Sequence, residues 1–313
     1  MPTTPRDDSL SDLDPLLANA DIEQSPWHGD EYQPDRDLLR ELLAVPIHAG
    51  HAQQSGRIAK ALDAWIAPEL RRGGFPRDAV SPRLRQPRML PSEVAPLEQQ
   101  IQTLVELVQA EEAAGRQVQP RRVRDAVMRL PRLLPGHADA NVLGRFYVKQ
   151  VDVLVSAWQR GPDVLVSSKT MLSSYLKNKN NRYEEAVGEA TNLRERYPMA
   201  GMGYAYLVRS NVYAEGGEYA FIRNLLVRLR KPDGAFDATM LLVADWDDET
   251  RTLNAVEDPA EELSGGRFFA DLLNAVMNNT PVDIHQELRL RKQGEPEGGL
   301  PPTPDDLAPD EVL

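Results

Sequence analysis

The sequence predicts an α/β fold in which a mixed central sheet is flanked by helices and preceded by a helical N-terminal region. Two observations indicate this architecture. From about Phe146 onward, strand-like runs alternate with helical ones, whereas residues 36–135 have helical spacing and no strand pattern. Alternating strands and helices are typical of α/β layers. The length of 313 residues is enough for one large domain or two modest ones.

The N-terminal region is predicted to contain three helices, over residues 37–44, 55–70 and 96–114. Ser55 is a candidate N-cap of the second helix, because a serine side chain can accept a backbone hydrogen bond from the first turn. In the third helix Leu97, Ile101 and Leu104 recur at helical spacing.

The rest of the chain is predicted to build the sheet and the helices that cover it. Apolar runs bounded by polar residues predict strands, and apolar residues three and four apart predict helices. The expected strands cover residues 146–157, 164–168, 201–213, 238–246 and 252–256. The expected helices cover residues 178–196, 219–230 and 266–278.

The net charge of -12 is carried by the two ends of the chain. Residues 1–41 hold eleven acidic and three basic side chains, and residues 294–313 hold six acidic and no basic ones. Because both ends are also rich in proline and poor in aromatics, they are predicted to contain solvated tails. The predicted organisation is a disordered acidic tail over 1–35, a helical region over 36–140, an α/β core over 141–293 and a disordered acidic tail over 294–313.

Composition excludes several classes of site and of location. The chain has no cysteine, which excludes disulfides, thiolate metal sites and cysteine nucleophiles. No window approaches the roughly 20 apolar residues that a membrane helix needs, and the N-terminus lacks the apolar run of a secretory signal. We therefore expect a cytoplasmic protein that does not insert into membranes. A glycine-rich phosphate loop is also missing from the sequence.

Basic side chains cluster in three stretches. Residues 71–88 and residues 116–132 each hold six arginines and a single acid, and a shorter lysine- and asparagine-rich stretch opens the predicted helix over 178–196. Arginine at this density suits bidentate phosphate contacts, whereas the alternative is a solvated face or pairing with the acidic tails. The candidates for binding DNA are Arg83, Arg85, Arg88, Arg121, Arg122, Arg124, Lys177, Lys179 and Arg182.

Asp152 and Lys169 are candidates for the chemistry of a phosphodiester site. Asp152 stands between apolar residues of a predicted strand, where a carboxylate is costly unless it lies at a strand end or binds a cation. Lys169 follows the next apolar run and shares a strand face with Ser167, two residues earlier. A lysine there can orient or deprotonate an attacking water, or stabilise developing charge. Phosphodiester hydrolysis would also require a divalent metal on oxygen ligands.

This arrangement resembles the PD-(D/E)XK nuclease superfamily, in which an Asp on one strand is followed by acid-x-Lys on the next strand and then by a helix. The resemblance covers roughly residues 146–257, with Asp152 at the Asp position and Lys169 at the Lys position. Ser167 occupies the intervening acid position, and a hydroxyl is a poor substitute for a carboxylate as a Mg²⁺ ligand. One branch of restriction endonucleases has the same Ser-x-Lys and takes the missing carboxylate from the following helix.

The replacement carboxylate is expected on the predicted helix over 178–196. Glu184 and Glu185 lie fifteen and sixteen residues past Lys169. On a helical wheel Glu185 shares a flank with Glu189, whereas Glu184 lies on the other flank. Glu185 is the favoured metal ligand, followed by Glu184, and the alternative is that all three are surface glutamates. Asp163 is interpreted as a structural residue of the turn before the lysine strand.

The resemblance implies a Mg²⁺-dependent endodeoxyribonuclease similar to type II restriction enzymes or to a related phage-defence nuclease, with Mn²⁺ able to substitute. Asp152 and a helix glutamate would hold the metal, Lys169 would act on the water, and Ser167 would support the site by hydrogen bonding. The helical region would grip DNA, and a homo-oligomer, a dimer or larger, is expected by analogy.

Two alternatives remain at this point. The chain is either a non-catalytic DNA-binding or assembly subunit that retains a degenerate nuclease fold, with Ser167 as the mark of that loss, or an effector nuclease gated by a partner chain of a defence system.

Overall fold

The structure of the chain is a computed structural model that describes most of the sequence. The described residues are 10–52, 55–84, 88–90, 94–115, 124–125, 127–128, 140–157, 159–173, 175–214, 216–230 and 235–294, and within them the side chains of residues 55, 95–96 and 176–182 are not described. The tail predicted over 294–313 therefore lies outside the described residues, apart from Gly294.

A six-stranded mixed sheet forms the centre of the fold. The strands are β1 Trp27–His28, β2 Glu31–Tyr32, β3 Val80–Ser81, β4 Ala140–Leu143, β5 Val148–Val151, β6 Val153–Ala157, β7 Gly161–Met171, β8 Gly201–Arg209, β9 Ala238–Asp247 and β10 Thr252–Glu257. The sheet has the order β10-β9-β8-β7-β6-β3, and β1-β2 and β4-β5 form separate hairpins. The central strands β7, β8 and β9 are parallel, whereas β10, β6 and β3 pair antiparallel. β8 is almost continuously buried, as expected for a strand covered by helices on both faces.

Helices cover the sheet. Those in the described residues are α1 Asp14–Ala18, α2 Arg36–His48, α3 Ser55–Arg72, α4 Ala95–Ala113, α5 Tyr175–Arg194, α6 Glu218–Leu229, α7 Gly265–Asn279 and α8 Gln286–Gln293. Side-chain caps fix two of the starts: Asp35 accepts the backbone N–H of Leu38 at 2.9 Å before α2, and Ser264 accepts that of Arg267 at 3.2 Å before α7. Each cap satisfies one backbone donor that lacks a partner in the first turn.

The helices divide the core into two parts, one on each face of the sheet. On the first face, α2, α3 and α7 pack against Val164 and Val166 of β7. On the second face, α5, α6 and the β4-β5 hairpin pack against Leu165 of the same strand. Because side chains alternate along a strand, consecutive residues of β7 reach different cores.

The predicted α/β fold is confirmed as a mixed sheet flanked by helices. The strands predicted over 201–213, 238–246 and 252–256 occur as β8, β9 and β10, and the helices predicted over 178–196, 219–230 and 266–278 occur as α5, α6 and α7. The strand predicted over 164–168 is longer at both ends, and the three N-terminal helices occur as α2, α3 and α4.

Several elements differ from the prediction. β4 was not predicted, and the strand expected over 201–213 ends at Arg209 because Ser210–Ala214 form a 3-10 helix. The single strand expected over 146–157 is interrupted: β5 ends at Val151, the chain bends at Asp152, and β6 begins at Val153. The edge strand β3 was not predicted, because two residues are too few to establish a pattern. The helix α8 was also missed, since its sequence is polar on most sides and buries only Leu288.

The prediction of a disordered tail over 1–35 is wrong for residues 10–35. Leu10, Leu13, Leu17, Trp27 and Tyr32 are buried in the core of the first face. The acidic side chains between them dominated the composition and concealed the spacing of the apolar ones. The same core includes α2 and α3, so the boundary predicted near residue 140 does not separate two cores.

Candidate active site

Asp152 lies at the break between β5 and β6. The last backbone pair of the β6-β7 ladder is Val153 with Val166, two residues before Ser168 on β7. Beyond this pair, Oδ2 of Asp152 accepts a hydrogen bond from the backbone N–H of Ser168 at 2.9 Å. The break therefore keeps a half-buried carboxylate beside the lysine strand, as expected for an acid at a strand end.

A second carboxylate meets the same serine from the first face. The Ser168 hydroxyl donates a hydrogen bond to Asp63 of α3, and Lys60 Nζ lies 3.2 Å from Asp63 Oδ2. Asp63 is 1% exposed. Ser168 thus joins two acids, Asp152 through its backbone and Asp63 through its side chain.

The pKa of Asp63 is shifted by its burial and by the nearby Asp152. Burial and the negative charge of Asp152 raise the pKa of Asp63 from 3.8 to about 6, against the opposing effect of Lys60 and the Ser168 hydrogen bond. A pair of acids whose charges disfavour each other is the arrangement that a divalent cation relieves. Strongly shifted acids also mark functional sites more often than ordinary surface positions.

A similar cluster occupies the second face. Ser167 donates a hydrogen bond to Glu189 of α5, and Lys149 of β5 lies 2.7 Å from the other oxygen of that carboxylate. Glu189 is 1% exposed. Burial alone would lower the pKa of Lys149, but the hydrogen bond and the charge of Glu189 outweigh it, so the pKa of Lys149 is raised. The two adjacent serines therefore each hold a buried carboxylate that is paired with a lysine, on opposite faces of β7.

Lys169 lies on the same side of β7 as Ser167 and is half-buried. Its register partner on β8 is Tyr206. In the part of the chain that the structure describes, Lys169 forms no ion pair or hydrogen bond with a protein group.

The three predicted helix glutamates lie in different surroundings in the structure. Glu184 is exposed and points away from the sheet's core. Glu185 is half-buried, with Oε1 3.9 Å from Lys149 Nζ. Glu189, predicted last of the three, is the one whose carboxylate lies one hydrogen bond from Ser167, the position where the resemblance expects an acid.

Two of the arginines predicted to bind DNA are buried instead. Arg83 pairs with Asp78 at 3.0 Å, and Arg88 pairs with Asp14 at 2.7 Å while donating to the carbonyls of Arg83 and Leu84. A phosphate contact by either would require these internal contacts to break. Arg124 is partly exposed and pairs with Glu112 and Asp125. Arg85, Arg121 and Arg122 lie outside the described residues, as do the side chains of Lys177, Lys179 and Arg182.

Sequence reasoning missed Asp63. The available signal was an acid within the apolar run Leu62 to Ile66, which lies on the buried side of α3. A carboxylate there is costly without a partner. Its partner, Ser168, is 105 residues away in sequence, so no local sequence pattern could indicate this contact.

Asp63 and Asp152 are the acids near Ser168 that could contribute oxygen ligands to a metal. Among the residues that the structure describes, no group of three or more His, Asp or Glu side chains is arranged to hold a metal. Mg²⁺ commonly binds through one or two carboxylates together with waters and substrate phosphates. Asp63 and Asp152 supply that smaller donor set.

Comparison with protein-family models, with curated proteins and with solved structures gives no match for this chain. Within the described residues, none of the helices combines the length and the apolar character that crossing a membrane requires.

Proposed function

We propose that the chain is a Mg²⁺-dependent endodeoxyribonuclease with a restriction-endonuclease-like core. The observation that carries the proposal is the meeting of Asp63 and Asp152 at Ser168, the residue before Lys169. The two carboxylates would supply oxygen ligands for a metal, and Lys169, which follows Ser168 on the opposite face of β7 from Asp63, would supply positive charge for phosphodiester hydrolysis.

The order of the elements supports this proposal. Asp152 precedes β6, Lys169 lies near the end of β7, and the helix α5 follows. The two strands are antiparallel neighbours, and β8 returns parallel to β7. An acid strand, a lysine strand and a helix thus follow one another as the resemblance to the PD-(D/E)XK superfamily implies.

Asp152 and Asp63 are the residues that would hold Mg²⁺, with waters and phosphate oxygens of the substrate completing its coordination. When bound, the cation would lower the pKa of a water and offset negative charge at the phosphate. The raised pKa of Asp63 fits this role, because a cation favours the ionised carboxylate that burial and Asp152 disfavour. Mn²⁺ would substitute, since it takes the same oxygen ligands.

Lys169 would orient or deprotonate the attacking water, or offset charge at the phosphate. Ser167 would position the Glu189 carboxylate by donating a hydrogen bond to it. Glu189 also pairs with Lys149, on the same face of β7 as Lys169. Glu189, rather than Glu184 or Glu185, would then be the helix-borne acid of the site. The setting we propose is restriction or phage defence, as a homo-oligomer or with a partner chain.

A second candidate function is a non-catalytic DNA-binding or assembly subunit. The observation that favours it is the pairing of Glu189 with Lys149, which neutralises the acid nearest to Ser167. A subunit of this kind would bind DNA and leave it intact.

Cleavage of DNA separates the two functions. Purified protein is incubated with supercoiled plasmids of varied sequence in Mg²⁺, in Mn²⁺ and in EDTA. We expect cleavage with either metal and none in EDTA, and we expect Lys169→Ala and Asp152→Asn to lose it by at least 100-fold. Asp283→Asn, an exposed acid outside the site, is the matched control. Equal cleavage by wild type and Lys169→Ala would sink the assignment, and binding without cleavage would favour the subunit.

A further inference from the structure

The tip of the β4-β5 hairpin exposes apolar side chains on the second face of the sheet. Leu143, Phe146, Tyr147 and Val148 are all about half exposed or more, and Phe146 is 66% exposed. Single exposed apolar residues are ordinary, but four of them within six positions form a contiguous patch of the kind that marks an interaction surface.

The tip is held rigidly although its side chains face solvent. Asn192 of α5, itself 1% exposed, binds the turn on both sides. Its Oδ1 accepts the backbone N–H of Phe146 at 2.8 Å, its Nδ2 donates to the carbonyl of Tyr147 at 3.0 Å, and its backbone carbonyl accepts the N–H of Arg145 at 2.8 Å. Gly144 permits this approach, because a Cβ there would collide with the Asn192 amide. The backbone that carries the two aromatic side chains is thereby held by hydrogen bonds to α5.

Arginines surround the aromatic tip. A cleft of about 780 Å³ is lined by Arg145, Phe146, Arg160, Glu195, Arg196 and Tyr197. Arg145 lies over the ring of Phe146 at 5.8 Å, and Arg196 lies over the ring of Tyr197 at 5.8 Å. Arg145 pairs with Glu195 at 2.8 Å and Arg160 pairs with Asp163 at 3.0 Å, so Arg196 is the arginine of the cleft that forms no ion pair within the described residues and whose charge would meet an anion.

The tip also adjoins the cluster of Ser167, Glu189 and Lys149 on the second face of β7. Lys149, which pairs with Glu189, is three residues from Phe146. On α5, Glu189 and Asn192 are three residues apart, which is about 4.5 Å along a helix axis. A ligand bound at the tip would therefore lie beside the second face of β7.

We propose that the hairpin tip and this cleft bind an unpaired, single-stranded segment of the nucleic acid substrate, an inference that rests on the proposed nuclease function. Bases stack on exposed aromatic rings, and arginines contact the phosphates that join them. The combination of exposed aromatic rings with Arg196, and with the ion-paired Arg145 and Arg160, favours single-stranded DNA as the occupant.

The test is fluorescence anisotropy with a labelled 20-nucleotide oligo(dT) in EDTA, so that binding is measured without cleavage. We expect Phe146→Leu to weaken binding about 5-fold or more, because leucine keeps the apolar area and loses the stacking face. Phe146→Trp should retain the wild-type affinity. Arg196→Ala should reduce the slope of log K against log salt by about 0.7.

Two control variants match these changes. Tyr213→Leu removes a half-exposed aromatic beyond the opposite end of β8, and Arg40→Ala removes an exposed arginine of α2. Both should bind oligo(dT) as wild type does. If Phe146→Leu binds oligo(dT) as tightly as wild type, or if Tyr213→Leu weakens binding equally, the proposal is overturned. It is likewise overturned if Phe146→Leu changes only the sedimentation coefficient, since the tip is then a protein interface.

Failure of this inference is distinguishable from failure of the nuclease assignment. Plasmid cleavage in Mg²⁺ decides the nuclease function, whereas oligo(dT) binding in EDTA decides the role of the tip. An enzyme that cleaves plasmid DNA and binds oligo(dT) independently of Phe146 retains the nuclease function and loses the proposed binding surface.

Discussion

Ser168 links Asp63 and Asp152: its hydroxyl donates a hydrogen bond to the Asp63 carboxylate, and its backbone N–H donates one to the Asp152 carboxylate. One acid comes from a helix on the first face of the sheet, and the other from the break between two strands. Each is placed by the fold rather than by its sequence neighbours. The charge of Asp152 contributes to the raised pKa of Asp63, so the two acids are electrostatically linked as well.

Asp63→Asn should stabilise the protein at pH 7. The folded-state pKa of Asp63 is about 6 against an ordinary 3.8, so between these values the folded state holds a proton that the unfolded state has lost. The free energy of unfolding therefore falls as pH rises through this window, and the whole cost is present above it. We expect a gain of roughly 1 to 3 kcal/mol at pH 7 and little gain at pH 4, measured by urea unfolding. Lower stability of the variant at pH 7 contradicts the account.

Glu189→Gln should have the opposite effect in the same measurement. Glutamine can still accept the Ser167 hydrogen bond, but it leaves the partly buried Lys149 without its charge partner. We expect a loss of about 1 to 2 kcal/mol at pH 7, less than for a fully buried pair because Lys149 is 21% exposed. A neutral result would show that the pair contributes nothing to stability.

Arg88→Met should weaken the fold without changing the salt dependence of DNA binding. The side chain is buried, and its removal leaves Asp14 and two backbone carbonyls without their donor. We expect a loss of about 2 kcal/mol in urea unfolding. The exposed Arg40→Met is the control and should change stability by less than about 0.5 kcal/mol. If Arg88→Met folds as stably as wild type and loses DNA affinity, Arg88 contacts phosphate after all.

Asp163 should contribute to stability only above mildly acidic pH. Burial alone would raise its pKa, but hydrogen bonds and charges from His285 and Arg160 outweigh it, so the folded-state pKa lies below 3.8. For an acid with a lowered pKa, the contribution is complete above the unfolded value and is lost as pH falls through the folded one. The stability difference between wild type and Asp163→Asn, measured by urea unfolding, should therefore shrink below about pH 4. A difference that stays constant from pH 7 to pH 3 contradicts this assignment.

The sequence was sufficient for most elements of the central sheet and for part of the candidate site. Strand and helix order from β6 onward follows from local patterns of apolar residues, and Asp152, Ser167 and Lys169 could be named from the spacing of two adjacent strands. Asp63 could not be paired with them, because its contact with Ser168 depends on how α3 packs across the sheet. The choice of Glu189 over Glu185 likewise depends on the rotation of α5, which a helical wheel does not determine.

Residues 10–35 were misassigned for a related reason. Their acidic composition predicts a solvated tail, but leucines and aromatics at wide spacing bury themselves against α2, α3 and α7. Whether such a segment is buried depends on the apolar surface of α2, α3 and α7 against which it packs, and the composition of the segment does not reveal that surface.

The most direct measurement is the binding of Mn²⁺, followed by electron paramagnetic resonance, to wild type, Asp63→Asn, Asp152→Asn and the control Asp283→Asn. It reports whether the two acids form one cation site, independently of any cleavage. We expect wild type and Asp283→Asn to bind Mn²⁺ alike, and we expect Asp63→Asn and Asp152→Asn each to bind it at least 10-fold more weakly. Equal affinity in all four proteins would contradict the central claim that Asp63 and Asp152 hold the catalytic metal.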